Sequence, residues 1–179
     1  MPRSNPLLIA AFLLCCADGA APAAELPATP HVRSGDHQVA DLIAEGMRRP
    51  PAFAGLVERL DESDVVVYVT IDDAIPSGLG GWTRFVGQVA GRRYVAVGLC
   101  RRLSADQRIM MIAHELRHAV EIAEARTVAD DSALAAHYRA IGFRTWPCRN
   151  ECYESTAAVD AERQVGRELR RRSRAYAQH

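Results

Sequence analysis

The segment His114-Glu115-Leu116-Arg117-His118 holds the residue types and the spacing that can do chemistry. Two imidazoles four residues apart point the same way on a helix, because four residues turn it by about 400°. They can then close on one Zn²⁺, and Glu115, rotated by about 100° from His114, stands beside the metal and not under it. A carboxylate there can take a proton from a zinc-activated water. The expected chemistry is hydrolysis, with Zn²⁺ as cofactor, His114 and His118 as ligands and Glu115 as general base. Arg117 falls about 60° off the ligand face, so it is expected to turn to solvent or pair with a carboxylate.

A catalytic zinc needs three protein ligands and one open position. Three ligands on one straight helix lie nearly in a line, so the third is expected from another element. Glu154 is the favoured candidate, at the expected start of a later helix whose Ala157 and Ala158 allow close packing on the motif helix. Glu121 lies about 20° off the ligand face and leans toward the metal, which suits a hydrogen-bond acceptor for a ligand imidazole more than a direct ligand. His137, Glu151 and Asp160 are further contenders.

The elements that must position these residues read as follows. Apolar periodicity predicts helices at 36–48 and 52–60, the first ended by Pro50-Pro51. A β-branched run at 64–71 and two more apolar stretches at 82–89 and 94–99 read as strands, the last two joined by a turn at 90–93. The motif helix starts with the capping box Ser104-Ala105-Asp106-Gln107 and runs to about residue 124. Further helices are expected at 130–141, stopped by Gly142, and at 154–176, with an irregular stretch from Trp146-Pro147 between them. The expected fold class is α+β: a small antiparallel meander of about three strands, packed with the motif helix and a downstream helical subdomain.

The zinc motif, the meander just upstream and a later helix opening at Glu154 together resemble compact gluzincin-type zinc metallopeptidases, over about residues 64–170. They also resemble bacterial exported proteins that carry the motif without an assigned activity. The resemblance implies that Glu154 completes the metal site, that Glu115 shuttles the proton, and that a strand near 94–99 or its hairpin partner lines the cleft. It also implies a side chain that steadies the oxyanion, for which Tyr138, Tyr153 and His137 all qualify. The family often has an aspartate four residues after the glutamate ligand; Ala158 stands there in this chain.

Composition bounds the rest. Charge is balanced, 22 basic residues against 22 acidic, which removes any general pull toward nucleic acid. The arginines Arg167, Arg170, Arg171, Arg172 and Arg174 read as the solvated end of the last helix. An apolar run at 7–17, too short to span a bilayer, precedes the small-residue site Ala21-Pro22-Ala23. Residues 1–23 are therefore expected to be a signal peptide, 24–35 a flexible leader and 36–179 one domain, exported to the periplasm or beyond with no integral membrane segment after processing. Three cysteines would remain, and either Cys148 with Cys152 or Cys100 with one of them could pair. The expected function is an exported zinc hydrolase acting on a peptide or protein substrate. The alternative is a non-catalytic exported domain with a structural or vestigial zinc site that acts in binding.

Overall fold

The computed structural model describes residues 29–145 and 152–176. The expected signal peptide, the irregular stretch from Trp146 and the contender Glu151 lie outside them. Among the described residues the architecture is α+β, in the order β1 (Val32–Arg33), α1 (His37–Arg48), α2 (Pro51–Asp61), β2 (Val65–Asp72), β3 (Gly81–Val89), β4 (Arg92–Cys100), α3 (Ala105–Glu124), α4 (Asp131–Ile141), β5 (Phe143–Arg144), β6 (Tyr153–Glu154) and α5 (Thr156–Tyr176). No helix among them is long and apolar enough to cross a membrane. Local chemistry sets the helix starts. Asp36 accepts from the amides of Gln38 and Val39 at the head of α1, and Pro51 opens α2 where its missing N–H costs nothing.

The main sheet has the order β1-β2-β4-β3. It is mixed and is not the expected antiparallel meander: β4 pairs in parallel with β2 and antiparallel with β3. Burial explains the order. Val95, Val97 and Leu99 make β4 apolar enough for a central strand, whereas β3 carries Gly81, Arg84, Gly87 and Gln88 and suits an edge. The β3–β4 hairpin closes through Ala90 and Gly91, both at positive φ, as a two-residue turn requires when its twist must match the strands. Val32 and Arg33, expected within the leader, instead add a short parallel strand beside β2.

Helix α3 lies between the sheet and α5. Its Ile109, Ile112, Leu116 and Ile122 are fully buried, each worth about 1.5–3 kcal/mol of apolar transfer. The two ends of this helix are fixed by side chains. At the start, Ser104 accepts from the Gln107 amide while the Gln107 side chain accepts from the Ser104 amide. At the far end, buried Arg93 of β4 donates to the carbonyls of Ile122, Ala123, Ala125 and Val128 at 2.7–3.3 Å and forks onto the Asp64 carboxylate at 2.7 and 2.8 Å. Its cation thus meets the negative end of the helix dipole.

Helix α5 starts later than expected. Glu154 belongs to the two-residue strand β6, and Ser155 is the cap: its Oγ accepts from the Ala158 amide at 3.0 Å. Ala158 is fully buried, as the close packing of α5 on α3 demands.

Candidate metal centre

The middle of α3 passes beneath an open cleft of about 500 Å³. On its cleft side the rings of His114 and His118 stand nearly perpendicular with centroids 5.1 Å apart. Both Nε2 atoms face the Glu154 carboxylate, His114 at 3.1 Å from Oε2 and His118 at 3.2 Å from Oε1. One ligand atom from each of the three residues falls within 4.8 Å of the others, so the cluster could hold a metal ion. The two nitrogen–oxygen separations are near the roughly 3.3 Å expected between neighbouring ligands bound to one tetrahedral ion at about 2.0–2.1 Å. Strand β6 delivers Glu154 in place of the expected helix start. It pairs with β5, the Thr145 amide donates to the Cys152 carbonyl at 3.1 Å, and Cys152 is disulfide-bonded. Cys100 is buried and free, which removes it from the pairings considered, and Cys148 lies outside the described residues.

The far nitrogens of both rings are also engaged. His118 Nδ1 lies 3.0 Å from Glu121 Oε2, while the other Glu121 oxygen accepts from Ser155 Oγ at 2.7 Å. Glu121 is thus the outer acceptor its position in the motif helix suggested. His114 Nδ1 lies 3.2 Å from Glu162 Oε2. A proton held on each Nδ1 by these carboxylates leaves Nε2 as a lone-pair donor toward the cluster. The Tyr138 hydroxyl sits 3.0 Å from His118 Nδ1 and donates to the His118 carbonyl at 3.3 Å, on the side of the ring turned away from Glu154. Arg117 turns away from the cluster, with Nε 3.8 Å from Glu121 and Nη2 3.5 Å from Glu124.

Glu115 occupies the other wall. Thr83 of β3 donates to its Oε2 at 2.7 Å. Gly81 comes so close that a Cβ there would lie 2.7 Å from Glu115 Oε1, so only glycine leaves this carboxylate its place. Burial raises the Glu115 pKa, against the lowering pull of His118, His114 and the Thr83 hydrogen bond. A carboxylate biased toward holding a proton is what a shuttle needs.

In the metal-free protein burial works against a charged ring at His114, but hydrogen bonds to Glu154 and Glu162 outweigh it and push its pKa up to about 10. At His118 burial is likewise overcome, by Glu121 and Glu154, and its pKa rises to about 9. Burial opposes ionisation of Glu154 too, yet the two facing rings hold its carboxyl well below the usual range. Such mutual shifts are those of protonated rings facing a carboxylate.

The other contenders stand elsewhere. His137 packs edge-on against Tyr138 and lines a separate cavity with Arg117, and Asp160 is exposed near Arg163. Tyr153 lines the cleft. Glu162, Thr83 and Ser155 were not singled out from sequence. Only Thr83 carried a local signal, since it shares a strand face with Gly81. No protein-family model, curated protein or solved structure matches this chain.

Proposed function

We propose that this chain is a zinc-dependent hydrolase of gluzincin type that cuts peptide bonds outside the cytoplasm. The observation that carries the proposal is the convergence of His114, His118 and Glu154 at the floor of an open cleft with buried Glu115 beside them. Two imidazole nitrogens and a carboxylate oxygen are a zinc donor set with a position left over, and no fourth ligand stands with the three among the described residues. A structural site would be closed by a fourth side chain. The disulfide at Cys152 suits an oxidising compartment.

When bound, zinc would supply Lewis acidity and lower the pKa of a water at the open position. The side chains do the rest. Glu121 and Glu162 fix the ring orientations. Thr83 holds Glu115 by one oxygen, leaving the other to take a proton from the attacking water and return it to the leaving amine. Edge strand β3 presents unpaired backbone beside the cleft, onto which an extended peptide can lie.

The test pairs metal analysis with turnover. Purified protein should take up about one Zn²⁺ per chain, and His114→Ala should abolish uptake. Glu115→Gln should keep the metal and lose about 10²–10⁴ in turnover of a peptide library. Wild-type protein that stays empty after zinc supplementation ends the proposal.

A further inference from the structure

The cleft also has a charge pattern that the hydrolytic machinery does not require. The chain carries 22 basic and 22 acidic residues, and many of its carboxylates are paired with arginine. Arg49 meets Glu45 and Asp106, Arg93 meets Asp64, Arg101 meets Asp73, and Glu124 meets Arg59 and Arg117. The cleft departs from this habit. Glu115, Asp131, Glu154 and Glu162 line it, and no arginine does among the described residues. Asp131, exposed in the first turn of α4, has no ion pair among the described residues. Glu162 meets His114 as its one ion-pair partner among them and keeps 31% of its side chain exposed. With both rings neutral, Asp131, Glu154 and Glu162 outweigh one dication even without Glu115, so the loaded cleft keeps a negative potential. Its remaining walls include Met111, Leu134 and Val159, apolar surface along which a lysine or arginine stem can lie.

We infer that the cleft selects peptides with a cationic side chain next to the bond to be cut, and that Asp131 and Glu162 are the carboxylates that choose it. The inference rests on the zinc-hydrolase reading and names its substrate class. A cation entering here gains two carboxylates that no arginine among the described residues neutralises, whereas an anion meets them unscreened.

Binding of metal-directed probes separates the two readings. Three dipeptide hydroxamates differing only in one side chain (arginine, its neutral isostere citrulline, and glutamate) are titrated calorimetrically into the zinc-loaded full chain at low salt. The arginine probe should bind about tenfold tighter than citrulline, with glutamate weakest, and 0.5 M salt should narrow the gap. Asp131→Asn should shrink the arginine-to-citrulline ratio to about threefold. Asp160→Asn, an exposed α5 position outside the cleft lining, should leave the ratio unchanged. Equal affinities for arginine and citrulline overturn the inference while the zinc site stands. If none of the three binds, or no zinc is taken up, the hydrolase reading falls and this inference falls with it.

Discussion

Two buried polar groupings hang on the same helix, and they differ in how their charges close. At the C-terminal end of α3, one guanidinium faces one carboxylate and four backbone carbonyls. Donors match acceptors, and the positive charge is met by Asp64 and the helix dipole. At mid-helix, two imidazoles sit among Glu115, Glu121, Glu154 and Glu162. Two protonated rings, or one dication in place of their protons, offset part of that negative charge. The first is a complete structural clamp. The second is a cluster of titratable side chains that could hold a metal ion. Buried polar groups need partners in both cases, and in the second grouping the imidazoles and carboxylates meet one another.

The comparison is broken or sharpened by substitution in each grouping. The largest effect belongs to the clamp. Arg93→Met leaves four carbonyls at the helix end without their donor and should cost about 3–5 kcal/mol in urea unfolding. Zinc uptake by the protein that remains folded should not change. A loss under about 1 kcal/mol would mean that the clamp is not the closed structural device described.

At the metal centre the test is the gain that zinc adds. Glu154→Ala loses the contacts to His114 and His118 and should already be less stable than wild type in chelator. In a hundredfold excess of zinc over its Kd, wild type should gain about 2.7 kcal/mol and the variant almost nothing. Thermal unfolding with and without zinc reads this directly. An equal gain in both proteins would remove Glu154 from the ligand set.

These contrasts also show what the linear chain could tell. The helix carrying the motif was legible because its signals are local: a capping box at Ser104 and Gln107 and an unbroken apolar period. The role of Glu121 was legible because it shares that helix. Glu154 was legible as a residue but not as an element, since β6 forms only by pairing with β5. Glu162 and Thr83 reach the site through tertiary packing alone, and no spacing rule connects them to His114 or Glu115. The strand order was partly written in composition. Gly81, Arg84 and Gln88 mark β3 as an edge, yet its place between the other two strands in sequence suggested a meander.

A smaller effect is expected from the outer carboxylates. Glu162→Gln and Glu121→Gln each keep side-chain shape while weakening the hold on a ligand ring, and each should lower zinc affinity about 10–100-fold. Competition against a chromophoric chelator gives the value, and the d–d spectrum of the cobalt-substituted protein reports whether ligand geometry shifts. Affinities within a factor of two of wild type would reduce both residues to bystanders.

The last effect is a matter of sign, and it tests the comparison most closely. In chelator, His114 and His118 have folded pKa values raised to about 10 and about 9 above an ordinary value near 6.5. Their contribution is therefore full below about pH 6.5 and fades as pH climbs through 9 to 10. The clamp runs the other way. The Arg93 hydrogen bonds, against some desolvation, hold the Asp64 carboxyl below its ordinary value, so its contribution is full above about pH 4 and is lost as pH falls through the depressed value. Metal-free protein should thus lose unfolding free energy between pH 6.5 and 9.5, and excess zinc should remove that decline because deprotonated rings bind metal better. Asp64→Asn should flatten only the acid limb, by a small amount because the side chain is 42% exposed. An alkaline limb that zinc leaves untouched would show that the protons on these rings and the metal do not compete for the same nitrogens.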